Sequence, residues 1–543
     1  MLSTWLLRSG LLLAALVIWF SNLDYRQLIK PDEGRYAELS REMAASGDWV
    51  TPRLNGIKYF EKPPLHYWAS AAAIEEFGAH NWTARLWTAL TGALGILLAW
   101  LTGSILFGPR AGLFAGVVLG SSLMFVVMGH LNTLDMGLTF FLFLALCGFL
   151  LAHRDLATDR ANAIWMHVAW AAMAGAVLSK GLVGIIIPGA TLVLYTIVQR
   201  DLMVWRRLHI VTGFILFLAL CAPWFVLASL RNPEFAWFFF VHEHFLRYST
   251  TIHRRVEPWY YFIPLFLGGA LPWLIPMLDA LWRGILAEPR AAFHVRRFLV
   301  IWCVFVFVFF SASGSKLPSY ILPLFPLLAL LTGWRLDSIS GRALAWQIAP
   351  MAVLAAAALV ALTFVHTSGD TPVELIQNFK PWLAAAALLA LGATLWAMRV
   401  ARRDRVGAAV ALVGFGALAS AQVAITGNEA VAPSMSAYHI AQEVKPYLRP
   451  GVPFYSVGGY DQTLDYYLGR TVTLVQFRDE LDFGLKQEPQ LALDSVDDWK
   501  RVWPQQKYAL ALLDKGLYDK LAAEGFPMQL ITHDHRRYVI KTP

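Results

Sequence analysis

Long apolar runs, each about the length of a bilayer-crossing helix, alternate along this chain with polar connections. A hydrocarbon core of ~30 Å takes ~20 residues at helical rise. Such runs begin near residues 4, 82, 111, 134, 163, 182, 208, 258, 298, 317, 346, 382 and 406, so about thirteen spans are expected. Two polar stretches are too long to be simple connections: residues 22–81 and 230–257. Near residue 431 the pattern changes. "VPFYSV", "TVTLVQF", "YALALLDK" and "RRYVIKT" read as strands, while "DQTLDYYLG" and "KGLYDKLAAEGF" read as helices, the second stopping at Gly525. The pattern therefore describes a polytopic α-helical membrane unit, residues 1–430, followed by a small α/β domain, residues 431–543. That length suffices for a core of its own.

Composition agrees: mean hydropathy is +0.51, with 57% hydrophobic and 15% charged residues. So much apolar surface suits lipid and not water. The net charge of +8 points to anionic membrane lipids and gives no reason to invoke nucleic acid. With the N-terminus placed in the cytoplasm, the cytoplasmic connections hold Arg110, Arg154 with Arg160, "QRDLMVWRRLH", "EPRAAFHVRR", "WRLDSISGR" and "MRVARRDR". All are short and basic, as the positive-inside rule requires. Both long polar stretches and the C-terminal domain then lie outside. Cys147, Cys221 and Cys303 sit within apolar runs, which argues against a disulfide framework. The first run lacks a convincing cleavage site and reads as a retained helix. The sequon at Asn81–Thr83 lies in a membrane-hugging segment and carries no argument.

In the first outer loop, Tyr36, Leu39 and Met43 share a helical face after "KPDEG", and Gly47 is a stop signal. "EKPPLHYWASAAAIEEF" begins a second helix with a Pro pair. Two amphipathic helices flat on the outer membrane surface are expected.

No phosphate-binding loop, dinucleotide fingerprint, zinc-peptidase helix or nucleophile elbow is present. The remaining chemistry lies in polar residues that the topology places at outer helix ends. These are Asp32, Glu33 and Arg35; Tyr59, Glu61 and Lys62; Asp135; Lys180; His242, His244, Arg247, Arg254 and Arg255; and Lys316 with Tyr320. Each has a plainer reading. Asp32 and Asp135 could be helix N-caps, Glu33 could complement a helix dipole, and Lys62 could snorkel from a solvated turn. Lys180 has almost no loop around it. A charge at span depth costs at least ~2.5–3.5 kcal/mol, so a polar cavity is the better reading. Glu61 with His242 of "HEH" could hold a divalent metal such as Zn or Mn, although solvated histidines account for the pattern as simply. The outer arginines suit a phosphate clamp. "GSKLPSYILPLFP" would offer a cation and a phenol from a rigid turn.

"PDEGRYAE", "YFEKPPLHYW", "LNTLDMG", "LSKG" and "GSKLPSYILP", in that order, resemble bacterial glycosyltransferases of the GT-C type. The closest resemblance is to the lipid A 4-amino-4-deoxy-L-arabinose transferases, with protein O-mannosyltransferases more distant. The resemblance implies an inner-membrane enzyme with a periplasmic cavity. It implies inverting transfer of aminoarabinose from undecaprenyl phosphate to a lipid A phosphate. The resulting loss of negative charge on lipopolysaccharide would give resistance to cationic peptides such as polymyxin. It places the catalytic carboxylate at Asp32 and a second acidic position at Asp135, with Glu61 completing the candidate catalytic set. Lys62, Arg247, Arg254, Lys180 and Arg35 are then candidates for the donor phosphate. Glu33, Tyr59, Lys316, Tyr320 and Arg255 would line the cavity. No obligatory cofactor is implied, and a monomer is expected. The alternatives are a polyprenyl-phosphate sugar transferase with a protein or glycan acceptor, or a lipid transporter. Internal symmetry, which transporters often carry, is not visible here.

Overall fold

The computed structural model describes residues 2–246, 257–286, 293–365 and 371–543. Among them, nine helices are long and apolar enough to cross a membrane. Two bent pairs raise the number to eleven if each is one span: Pro109–Ser121 with Leu123–Gly129, at 64°, and Phe262–Gly269 with Leu274–Ile285, at 109°. Length and composition thus support nine to eleven spans among the described residues, and the number thirteen is not confirmed. The run expected at residue 4 is the helix Leu2–Phe20, and the run expected at 182 is the shorter apolar helix Val183–Gln199. The second is held to that length by Gly181, at φ 95°, just before it and by Arg200, left-handed at its end.

Lipid is the solvent for this bundle. Leu101, Val211, Val308 and Val353 are half or more exposed, and Trp346 is 73% exposed, which water would punish. Small residues set the close approaches instead of large apolar ones. A Cβ on Gly112 would lie 2.4 Å from the Trp100 carbonyl of the preceding helix, so that helix pair packs backbone to backbone.

The first outer loop is a folded layer. It contains α2 (Asp32–Ser46), a two-residue hairpin of β1 (Arg53–Leu54) and β2 (Ile57–Lys58), and α3 (Leu65–Phe77); α1 is the first helix, Leu2–Phe20. Gly47, left-handed at φ 69°, ends α2 by donating its N–H to the Met43 carbonyl. The expectation that α2 lies flat on a membrane fails. Its Tyr36–Leu39–Met43 face joins Leu54, Ile57 and Tyr67 in one core with Ile440, Val444, Leu464 and Leu510 from the C-terminal part. Protein, and not lipid, covers that apolar face.

The last span helix continues through residues 428–431 and ends at Met435. Beyond it is a six-stranded sheet of β3 (Phe454–Val457), β4 (Thr473–Val475), β5 (Ala492–Leu493), β6 (Leu510–Asp514), β7 (Gln529–His533) and β8 (Arg537–Lys541), in the order β5-β4-β3-β6-β8-β7. β3 to β6 pair in parallel and β7 and β8 are antiparallel. β5 is too short and β7 too polar for alternation to reveal them. One face of the sheet closes its own core around Trp499 and Trp503, and the other packs on the first loop.

Candidate active site

The first turn of α2 sends consecutive residues to different places. Arg35 lies one turn after Asp32 and donates from Nη1 to Asp32 Oδ1 at 2.8 Å. Its Nη2 donates to Glu480 Oε2 at 2.5 Å, and Gln462 Nε2 holds the other Glu480 oxygen at 2.9 Å. The C-terminal domain thereby reaches the Asp32 carboxylate through one guanidinium. Burial pushes the Glu480 carboxyl up, and Arg35 opposes that shift. Asp32 itself remains 38% exposed. The helix is capped by Pro31 without a side-chain hydrogen bond, so Asp32 is not an N-cap and its carboxylate is turned to Arg35.

Glu33 points the other way, and the expectation that it lines the cavity is not met. It is buried, accepting from Arg85 Nε at 2.7 Å and Nη2 at 2.8 Å, from the Asn132 N–H at 3.0 Å and from the Ile29 N–H at 3.1 Å. Burial alone would raise its carboxyl; Arg85 overcomes that and holds it below the ordinary range. Asn132 Nδ2 donates to the Glu33 carbonyl, leaving Oδ1 to accept from His66 Nε2 at 2.8 Å. Burial lowers His66 to about 4, so it is a neutral imidazole whose Nδ1 is a bare acceptor.

Asp135 is not a cap either; Thr133 occupies that position before the helix Leu134–His153. Asp135 forms an ion pair with Lys180, whose Nζ lies 4.7 Å from the Tyr320 ring centroid. Three distant segments therefore meet there, and Lys180 faces polar company instead of lipid.

Tyr36 packs in the same layer, its ring 5.7 Å from that of His66 and 6.1 Å from that of Tyr67. Burial raises its phenol, and the carboxylates of Asp32, Glu61 and Asp135 raise it further, with Arg35 opposing. Tyr59 and Tyr67 are buried beside Tyr36 and also raised, first by burial. Tyr59 Oη, Tyr67 Oη, Arg35 Nε and His66 Nδ1 are buried with no hydrogen-bond partner among the described residues, an arrangement suited to trapped water.

Lys62 sits 3.9 Å from the Glu61 carboxylate and 3.6 Å from that of Glu243, which also contacts His242 Nδ1 at 3.2 Å. Phe238, from the second long loop, stacks on Phe483 of the C-terminal domain at 3.9 Å between centroids. Lys316 departs from expectation. Its Nζ donates to the carbonyls of Ser313 at 2.7 Å and Glu257 at 2.9 Å, so it ties its own turn and is not offered to the cavity. Arg247, Arg254, Arg255 and the His244 side chain lie outside the described residues. Among the described residues, no three His, Cys, Asp or Glu side chains come together to hold a metal.

Arg85, Glu480, the Tyr36 hydroxyl, His66 and Asn132 belong to this layer and were not singled out by the sequence. Arg85 left one signal, a guanidinium in the first turns of an apolar span. Glu480 left none, since its partner is 445 positions away.

Two family profiles match: an aminoarabinose transferase C-terminal domain at residues 440–542, and dolichyl-phosphate-mannose-protein mannosyltransferase at residues 5–239. The crystal structure of ArnT from Cupriavidus metallidurans bound to undecaprenyl phosphate superposes with a TM-score of 0.95 at 40% identity, covering 100% of this chain and 98% of that one. The chain belongs to the aminoarabinose transferase family. Two further relatives are both named undecaprenyl phosphate-alpha-4-amino-4-deoxy-L-arabinose arabinosyl transferase. The one from Aeromonas salmonicida is 33% identical over 320 residues, covering 58% of this chain and 57% of its own. The one from Pseudomonas aeruginosa strain UCBPP-PA14 is 29% identical over 565 residues, covering 98% and 96%. The chain thus spans just over half the first relative's length and nearly all of the second's. In this family frame the polytopic fold and the α/β C-terminal domain are a matched pair.

Proposed function

We propose that this protein transfers 4-amino-4-deoxy-L-arabinose from undecaprenyl phosphate to a phosphate of lipid A, at the periplasmic face of the inner membrane. The observation that carries the reading is geometric: Arg35 joins Asp32 to Glu480, and the ion pair of Asp135 with Lys180 lies against the Tyr320 ring. Lys180 is paired to Asp135 and Lys62 lies next to Glu61. Support also comes from the names of the full-length relatives and from the undecaprenyl phosphate bound in the Cupriavidus protein.

The donor is a glycosyl phosphodiester. When the anomeric C–O bond breaks, negative charge grows on the departing phosphate, and fixed cations in a partly dry site stabilise it. Lys62 and Lys180 supply that charge here, and the outer arginines of residues 247–255 are its natural complement. The acceptor needs little help: the second pKa of a phosphate monoester is ~6, so near neutral pH it is already a nucleophile. A general base is needed for a hydroxyl acceptor and not for this one. Asp32 therefore acts through charge. One oxygen is committed to Arg35, and the carboxylate faces positive charge building at the anomeric carbon or the sugar's ammonium.

The test is mass spectrometry of lipid A from cells that lack their own such transferase but make the donor. They would express this chain or its Asp32→Asn variant at equal levels. An aminoarabinose adduct with the first and none with the second is expected. Folded protein without adduct in either case would redirect the reading to a protein or glycan acceptor.

A further inference from the structure

The polar layer described above occupies one end of the bundle. At the other end lies a group of cations that the chemistry does not use. The helix Val373–Ala401 packs along Val406–Gly427, with Trp382 against Gly427, and the next residues reach the first loop where Glu429 accepts from the Gln27 N–H. The turn at residues 401–406 is therefore at the end remote from Asp32. There Leu395, Met398, Arg399, Arg402 and Arg403 line one concavity of about 500 Å³.

Several guanidiniums elsewhere at this end are engaged. Arg335 and Arg283 share Asp279 at 2.6 and 2.8 Å, and Arg110 reaches Asp337 at 3.6 Å. Arg399, Arg402 and Arg403 make no ion pair or side-chain hydrogen bond among the described residues. The nearby anion, Asp404, accepts from the Gly341 N–H. A helix C-terminus carries only about half a negative charge, so three guanidiniums there exceed what the dipole needs. Leu395 and Trp396, 52% and 63% exposed, continue the wall along the lipid-facing side.

We propose that this concavity is a binding site for one anionic glycerophospholipid of the leaflet opposite the active site. Its phosphate lies among the three arginines, and its acyl chains lie on Leu395, Met398 and Trp396. Arginine forks match phosphate oxygens, and basic recesses beside membrane helices suit anionic headgroups. The apolar wall selects a lipid over a soluble phosphate.

The experiment is native mass spectrometry of the full chain with phosphatidylglycerol or phosphatidylcholine. A triple variant, Arg399→Gln with Arg402→Gln and Arg403→Gln, is compared with a control that removes equal charge at the same end, Arg160→Gln with Arg200→Gln and Arg206→Gln. Expected is one tightly held phosphatidylglycerol per wild-type or control chain, and affinity lower by about a hundredfold in the first variant. Should that variant be poorly folded, Arg402→Gln alone is read, with an expected loss of about fivefold. Equal loss in test and control variants, equal retention of phosphatidylcholine, or displacement of the lipid by millimolar inorganic phosphate would each overturn the proposal.

Discussion

Asp32 and Glu33 are neighbours with opposite tasks, because a helix turns by about 100° per residue. One turns toward Arg35 and the open side, and the other is sealed against Arg85. Removing the charge of Glu33 leaves a buried guanidinium uncompensated, which costs about 3–5 kcal/mol. Glu33→Gln is therefore expected to lower the melting temperature and folded yield in detergent, and Arg85→Met beside it to recover much of the loss. A Glu33→Gln protein that melts like wild type yet transfers no sugar would return this residue to the reaction. Glu480 should behave differently, because its work is done through Arg35. A small misplacement near the reacting atoms can cost up to about a hundredfold. Glu480→Ala should thus lower kcat by about ten- to a hundredfold with donor KM nearly constant, and Glu480→Asp should restore part of it. An unchanged kcat in reconstituted vesicles would detach the C-terminal domain from the chemistry.

At the scale of elements, the contact of α2 with the helix Gln462–Leu468 contains an imbalance. Glu38 is held by both forks of Arg41, at 2.7 and 2.5 Å, while Glu42 accepts from the Gly56 N–H and Asp465 from the Tyr460 hydroxyl. Three carboxyls face one guanidinium, and one Asp465 oxygen is buried without a partner. Burial first, and Glu38 next, raise both Glu42 and Asp465 well above the carboxylate range. The docked state thus retains protons that the undocked chain releases from about pH 4 upward. Where the separated state binds fewer protons, stability falls as pH rises, so docking is strongest in mild acid and weakens as pH climbs through the raised values. Hydrogen exchange of residues 461–469 should accelerate with pH beyond its intrinsic base dependence. Asp465→Asn should flatten that extra slope. None of this was visible in the sequence, where Glu38 and Glu42 look like the solvated face of a surface helix. The helix itself was legible from Tyr36, Leu39, Met43 and Gly47; what would cover it was not, because the partners lie some 400 residues away.

Across the whole molecule, local signals and long-range ones divide in the same way. Apolar runs and basic turns betray the spans, since lipid imposes length and charge locally. Lys180 was legible because a charge in an apolar run must find a partner, and it has one in Asp135. Lys316 gave the same signal and proved to bind carbonyls of its own turn and of Glu257, which a sequence does not distinguish. The boundary between the two parts is likewise one of composition more than of structure. The C-terminal sheet and the first loop share a core that includes Tyr36 and Tyr67 from one side and Leu464, Leu510 and Leu512 from the other. Arg537 ties the domain's last strand to Asp461 at 2.9 Å and to the carbonyls of Pro433 and Ser436, at the end of the last span helix. A chain ending at Met435 would expose the apolar face of α2 and leave Arg35 without Glu480. It should still insert, because its spans are intact, but the first loop should become open to proteolysis between residues 47 and 64 and sugar transfer should be lost. Supplying residues 436–543 as a separate polypeptide should restore protection and part of the transfer together, since one interface carries both. Protection of the loop in the truncated protein would mean that the membrane unit folds this layer alone, and that the C-terminal domain serves another purpose.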